Sequence, residues 1–323
     1  MAALCIPLRQ AFSIQPLLVG GNPFDTTSIY GLIHFLEQAH GVHFAKGGTG
    51  ALVKALGDLM ERQEIEVKLN STVTGLNFDG KEIKSAQIES YDNTQYELNA
   101  DWIISNIDPA YLYQKIVPTH KSNWLAKMKA KKSKTSMGLF VLFFGTDCQY
   151  PKVAHHTLWM GPRYEGLLDD IFNKKIIAKD FSLYLHRPTA TDASFAPEGH
   201  DSFYALVPVP NLQGEQDWKK EASILTKRII DALDATTLPG LADHIVDSFC
   251  MTPKEFEHNY LSPNGAGFSI SPLFTQSAWF RFHNRGEGPS NLLLVGSGTH
   301  PGAGLPGVIT SAKVLDTLLP DAK

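Results

Sequence analysis

Cysteine is scarce. Cys5, Cys148 and Cys250 are the only three in 323 residues. They lie far apart, are odd in number and form no Cys-x-x-Cys pair. This excludes a disulfide framework and a cysteine zinc site, and fits a reducing compartment. An excess of positive charge is also missing. The net charge is -4 at pH 7, so nothing points to nucleic acid. No apolar run reaches the ~20 residues of a membrane-spanning helix. The longest, Met137–Phe144 (MGLFVLFF), reads as a buried strand. The first ten residues, MAALCIPLRQ, lack the basic start and sustained apolar stretch of a secretory signal and read as a chain entering in mid-domain. No internal repeat is visible. No Ser/His/Asp spacing argues for hydrolysis. No His/Asp/Glu cluster argues for a metal, and none is expected.

What is present is enough apolar residue, 43% of the chain, for a large core and two domains. One stretch organises the rest: Asn291–Val308, NLLLVGSGTHPGAGLPGV. An apolar strand, Leu292–Val295, leads into glycines at 296, 298, 302, 304 and 307 with Pro301 and Pro306 between them. Ser311–Leu319 has helical periodicity. Strand, glycine-rich loop and helix bring backbone N–H groups and a helix N-terminus up to a phosphate. Residues 302–307 match GxGxxG by letter. They are not read as the dinucleotide fingerprint, which follows the first strand of a βαβ unit tightly and needs an acidic residue about 20 positions on. The better reading is the closing piece of a flavin domain. A glycine-rich turn without a ligand is the alternative.

Along the chain, Ser28–Gln38 reads as a helix sharing one side between Tyr30 and His34, and Ala51–Arg62 as a second. Glu64–Leu69 alternates. Val73–Phe78 and Ile83–Ser90 flank a hairpin signal at Asp79-Gly80, Gln95–Leu98 continues the meander, and Asp101–Asn106 is a strand ending in small polar residues. Strands are expected at residues 137–146, 157–160, 182–186 and 203–209, and an amphipathic helix at 218–233. Lys127, Lys129, Lys131, Lys132 and Lys134 form a solvated basic face or an anchor to anionic lipid. Leu185–Asp192 (LHRPTATD) is unusual for Arg187 beside proline and threonines. Gly265–Arg285, rich in Phe, Trp and Ser, reads as core or as the lining of an apolar tunnel.

These stretches carry a likeness. LRQAFSIQPLLVGGNPF (Leu8–Phe24), TTSIYGLIHFLE (Thr26–Glu37), VHFAKGGTGALVKAL (Val42–Leu56), LYLHRPTATDASFAP (Leu183–Pro197), DSFYALVPVPNL (Asp201–Leu212), TQSAWFRFHNR (Thr275–Arg285) and LLLVGSGTHPGAGLPGV (Leu292–Val308) resemble the bacterial phytoene desaturases, flavin-dependent carotenoid desaturases. The resemblance implies a mixed α/β fold. A partial, Rossmann-like FAD-binding domain (46–109 and 287–323) would interleave with a substrate-binding domain (1–45 and 110–286) on a mixed or antiparallel sheet. Leu292–Val295 would share a sheet with Trp102–Ser105. It implies FAD as cofactor, held by Val73, Ser105, Asn106, Gly296, Ser297, Gly298, Thr299, Pro301, Gly302, Gly304, Leu305, Pro306, Gly307 and Val308. His300 is the nearest titratable group and the catalytic candidate; Arg281, His283, Arg285 and Glu287 come next. Phytoene and partly desaturated carotenoids would be substrates, quinone or oxygen the electron acceptor, and a lipid surface the partner of a cytoplasmic, peripheral protein. The family's opening strand and glycine fingerprint have no counterpart here. The chain therefore resembles the carboxyl-terminal portion of such an enzyme, expected alone to hold FAD weakly. A related polyene desaturase or isomerase, and a non-catalytic isoprenoid carrier, are the alternatives.

Overall fold

In the computed structural model, which describes residues 6–320, the turn after Asp79 is built on Gly80, whose φ of 58° a side chain rarely adopts. It joins β1 (Ser71–Asp79) to β2 (Glu82–Ser90), and β3 (Gln95–Asn99) completes an antiparallel meander. Leu76, Ile83 and Ile88 face inward and pack with Tyr113, Ile116, Ala126, Phe282 and Leu292 in one apolar cluster. The alternating stretch Glu64–Leu69 forms no strand. Its side chains are exposed on both sides, so neither face has a core to bury. After the meander comes β4 (Ile103–Ser105).

The continuous apolar run becomes β5 (Gly138–Thr146), an interior strand of a second sheet. With β6 (His156–Trp159), β7 (Leu183–His186), β8 (Asp201–Val209) and β9 (Ile245–Met251) it makes an antiparallel sheet in the order β6-β7-β8-β5-β9. The helix Trp218–Asp234 covers one face. Asp217 caps it, accepting from Lys219 N at 3.2 Å. Leu225, Ile229 and Leu233 pack on Phe140, Leu142, Phe203 and Val207.

Finally, β10 (Leu292–Leu294) pairs in parallel with β4, Leu292 opposite Ile103 and Leu294 opposite Ser105. This is the shared sheet expected from sequence. The last helix spans Leu305–Lys313 with a 3-10 turn at Val314–Thr317. It starts six residues before the helix expected at Ser311. Pro306 fits a first helical turn, where its missing N–H is no loss, so Leu-Pro-Gly-Val is helix rather than loop.

The fold is thus mixed α/β with one parallel pair and two antiparallel sheets. The chain divides into two compact units. The first takes in the chain up to Ile33, Lys68–Ser136 and the chain from Asn259 onward; the second takes His34–Val67 and Met137–His258. Residues 46–67 therefore lie with the second unit and 110–136 with the first.

The second unit is pinned by one buried ion pair, which accounts for the unusual LHRPTATD stretch. Asp201 is 1% exposed. It accepts from Arg187 Nε (2.9 Å) and Nη2 (3.1 Å), Thr189 Oγ1 (2.6 Å) and Tyr150 N (2.7 Å), while Arg187 Nη1 donates to Val153 O at 3.0 Å. Removing one partner of a buried pair strands the other charge at a cost of about 3–5 kcal/mol. Asp201→Asn should lose stability of that order in urea denaturation; a loss below about 1 kcal/mol would show that the pair does not hold the loops around β8.

Candidate functional site

Two parallel strands, β4 and β10, end side by side, and Val295 N donates to Ser105 O at 3.0 Å. The carboxyl end of parallel strands is where α/β folds take ligands. Both chains turn away at once, at Asn106 and at Gly296 (φ 103°). A Cβ on Gly296 would lie 2.3 Å from Asn106 Oδ1, and one on Gly298 would lie 2.4 Å from Pro109. These two glycines let the strand ends pass. Asp108 caps the short helix Pro109–Tyr111, accepting from Ala110 N at 2.8 Å, and burial pushes its carboxyl above the usual range.

The loop from Gly296 to Gly304 is held by buried polar side chains. Arg281, 1% exposed, donates from Nε to Thr299 O (3.1 Å), from Nη1 to Gln276 O (3.4 Å) and from Nη2 to Ser297 O. Asn284 Nδ2 donates to Leu294 O (3.1 Å), His300 O (3.0 Å) and Ser311 O (3.3 Å). Ser311 Oγ accepts from Gly296 N (2.9 Å) and donates to Val308 O (2.6 Å). Thr299 Oγ1 donates back to Gly296 O at 2.8 Å. Burial pushes the Arg281 guanidinium below its ordinary pKa. No carboxylate among the described residues is within ion-pair distance of it, so carbonyl oxygens answer its charge.

The helix Leu305–Lys313 begins without a side-chain cap, from Gly304 at φ 96°. Among the described residues, no protein oxygen accepts from the backbone N–H groups of Gly302, Gly304, Leu305 or Gly307. Uncovered N–H donors and the positive end of a helix dipole suit an anion. Of the residues expected to hold cofactor, Ser105, Asn106 and 296–308 come together here. Thr299 is fully buried with its hydroxyl spent on Gly296, so it shapes the loop. Val73 stands on β1 with its side chain against the apolar cluster. His300 is exposed, and its backbone N donates to Phe282 O at 2.8 Å. Asn284 and Ser311 carried no sequence signal beyond polarity within apolar surroundings. The stretch Gly265–Arg285 splits: Arg281 and Phe282 are interior, whereas Phe274, Trp279 and Phe280 are exposed.

An apolar cleft of about 630 Å³ lies in the second unit, on the sheet face away from the helix Trp218–Asp234. One residue from each strand forms a row across all five strands: His156 opposite His186, His186 opposite Tyr204, Tyr204 opposite Phe143, Phe143 opposite Phe249. Successive ring centroids are 5.6, 4.6, 5.7 and 4.7 Å apart. Phe44 and Phe195 also line the cleft.

Comparison with known proteins agrees with this architecture. Residues 7–314 match the family described as flavin containing amine oxidoreductase. The chain is 43% identical over 320 residues to a phytoene desaturase (neurosporene-forming) of Cereibacter sphaeroides, covering 98% of this chain and 61% of the relative. It is 45% identical over 313 residues to a phytoene desaturase (lycopene-forming) of Pantoea ananas, covering 97% of this chain and 63% of the relative. It thus spans a little over three fifths of these curated relatives. In fold it is similar to an oxidoreductase from Methanosarcina mazei, with a TM-score of 0.65, 13% identity, and coverage of 95% of this chain and 63% of that one. By the extent of the match, almost end to end, the chain belongs to the flavin containing amine oxidoreductase family.

Proposed function

We propose that these residues belong to an FAD-dependent phytoene desaturase that dehydrogenates phytoene toward neurosporene or lycopene. The observation that carries the reading is 43–45% identity to phytoene desaturases along 97–98% of the chain. The structure fits a flavin dinucleotide at the Gly296–Val308 loop. The N–H groups of Gly302, Gly304, Leu305 and Gly307 are free to take phosphate oxygens at an uncapped helix N-terminus. Ser105 and Asn106 border the same place, and Arg281, Asn284 and Ser311 hold it rigid. We assign the flavin to the first unit and the polyene to the second. When bound, the flavin supplies the acceptor for a hydride from an allylic carbon. The chain supplies orientation and dryness. A hydrocarbon offers no hydrogen bonds, so apolar burial at ~25 cal/mol per Å2 must hold it, which the aromatic row of the second unit provides. His300, exposed beside the loop with its backbone fixed at both N and O, is the candidate to take the proton at a ring nitrogen. Quinone or oxygen is the proposed electron acceptor.

We also propose a peripheral lipid contact through the helix Trp124–Lys132. No helix among the described residues is long and apolar enough to cross a membrane. This one exposes Trp124 (68%), Leu125 (53%) and Met128, with Lys131, Lys132 and Lys134 exposed beside them, the make-up of a helix lying in a membrane interface. Lys129 is not part of that basic face. Its Nζ donates to Arg281 O at 2.9 Å and sits 4.7 Å from the Phe282 ring centroid.

Three outcomes test this reading. Protein supplied with FAD and phytoene in liposomes should yield desaturated carotenoid, if not alone then once the unmatched part of the Pantoea ananas relative is added as a second chain. Neither flavin binding nor product in both arms would refute it. Arg281→Met should weaken FAD binding at least about tenfold, because the loop carbonyls it satisfies are left unpaired at about 1–3 kcal/mol each; unchanged binding would remove Arg281 from the site. On vesicles with anionic lipid, Trp124→Ala and Lys131→Glu should each reduce binding, the lysine by about 1 kcal/mol and only at low salt. Equal binding of both variants would place the contact elsewhere.

A further inference from the structure

At one end of the aromatic row the cleft changes character. His155 and His156 precede and open β6, and His186 closes β7 directly opposite His156. One ring nitrogen from each of the three lies within 4.8 Å of the other two. No role in flavin or polyene binding calls for three imidazoles together.

Their hydrogen bonds prepare them in a particular way. His155 Nδ1 is 2.6 Å from Thr191 Oγ1, which leaves Nε2, and that atom is buried with no hydrogen-bond partner. Buried nitrogens without a partner are uncommon and call for an explanation. Tyr184 Oη stands 2.6 Å from His156 Nδ1 and 3.0 Å from His186 Nδ1. A phenol oxygen has two lone pairs, so it accepts from both rings when its own proton turns to Tyr204. In that arrangement both imidazoles carry hydrogen on Nδ1 and keep an Nε2 lone pair free. A shared hydroxyl that fixes tautomer and ring direction is what metal-binding histidines have around them.

Burial holds all three imidazoles below their ordinary range, aided at His155 and His186 by the neighbouring rings, with His186 pushed down to about 4. The rings of Phe44, Tyr184 and Tyr204 surround them, and among the described residues Asp247 is the only carboxylate lining the cleft.

We propose that His155, His156 and His186 form a binding site for a divalent transition-metal ion of the imidazole-favouring kind, with zinc as the reference ion. Zinc bonds to histidine nitrogen at about 2.0–2.1 Å, so a tetrahedral site wants its nitrogens about 3.4 Å apart. From separations of up to 4.8 Å an approach of up to about 1.4 Å is required, which small concerted shifts of the exposed His156 with Tyr184 and of the half-buried His155 would supply. Three protein ligands leave a fourth position open. His156 and His186 line the cleft, so water or an oxygen on a cleft-bound molecule would complete the shell. Hard-cation sites are excluded by the all-nitrogen donor set.

The test uses tag-free protein stripped with a chelator and needs no flavin, so its outcome is independent of the desaturase reading. Zinc titrated against a chromophoric chelator at neutral pH should bind at one ion per chain. Cobalt(II) in its place should give the intense visible absorption of a tetrahedral site. His155→Ala and His186→Ala should each weaken zinc binding by more than about a hundredfold. Tyr184→Phe, which keeps the apolar ring and loses only the hydroxyl, should weaken it about ten- to hundredfold. His244→Ala, in the separate Asp147/Cys148/His244 cluster, should change nothing. If the histidine variants fail to fold by circular dichroism, Tyr184→Phe and the cobalt spectrum decide. The proposal is overturned if zinc binds no more tightly than about 1 mM, if Tyr184→Phe binds as the parent does, or if His244→Ala is the variant that loses the ion.

Discussion

The first unit's site depends on one buried cation that has no carboxylate within ion-pair distance among the described residues. Arg281 sits at 1% exposure and spends its guanidinium on the carbonyls of Thr299, Gln276 and Ser297. A buried charge is tolerated only when hydrogen-bonded, and here the need runs both ways. The Ser297 and Thr299 carbonyls need donors, and the Arg281 guanidinium supplies them. With those carbonyls drawn inward to Arg281, N–H groups at Gly302, Gly304, Leu305 and Gly307 are left without a protein partner among the described residues. Asn284 and Ser311 act in the same sense, binding four carbonyls and one N–H between the strand end and the helix. If the loop takes an anion as proposed, it does so with its cationic side chain behind the loop rather than in its mouth.

The second unit separates stability from binding by strand periodicity. Successive residues of β8 point to opposite faces. Phe203, Ala205, Val207 and Val209 are buried and belong to the core under the helix Trp218–Asp234. Ser202 and Tyr204 line the cleft on the other side. In β5, Phe140, Leu142 and Phe144 join the core while Phe143 stacks with Phe249 in the aromatic row. Aromatic cross-strand pairs stabilise a sheet by roughly 0.2–1 kcal/mol each. The row therefore supports the sheet and offers a flat apolar wall at once, and a ligand can use that wall without the core being disturbed.

Much of this was legible in the sequence because it rests on local rules. The hairpin at Asp79-Gly80, the run Met137–Phe144 as an interior strand and the helix Trp218–Asp234 follow from turn chemistry and periodicity, and the pairing of Leu292–Leu294 with Ile103–Ser105 follows from the family likeness. The glycine loop announced itself by composition. What was not legible is set by contacts distant in sequence. Arg281 looked like one charge in an aromatic segment, and its burial depends on Thr299 and Ser297, more than 15 residues away. Glu64–Leu69 alternates like a strand, but alternation specifies a strand only where another lies beside it. The three histidines were invisible as a group: His186 is 30 positions from His156, and only the antiparallel register of β6 and β7 makes them neighbours.

The same register grades the aromatic row from imidazole to phenyl, although Asp247 and Ser248 of β9 also line the cleft. The row across the sheet runs His156, His186, Tyr204, Phe143, Phe249, so polarity falls steadily from the edge strand β6 toward β9. An apolar chain laid along it would meet imidazole and phenol at one end and hydrocarbon rings along the rest. Imidazoles in an apolar cleft carry a desolvation cost that a purely hydrocarbon ligand cannot offset, since it satisfies none of their nitrogens. Tyr184 offsets part of that cost by pairing with two of the rings. His155 Nε2 remains unpaired. A sheet that needed only an apolar wall would place phenylalanine at these positions, as it does at Phe143 and Phe249. The histidine end is therefore built for a partner that accepts nitrogen lone pairs, distinct in kind from whatever the aromatic wall holds.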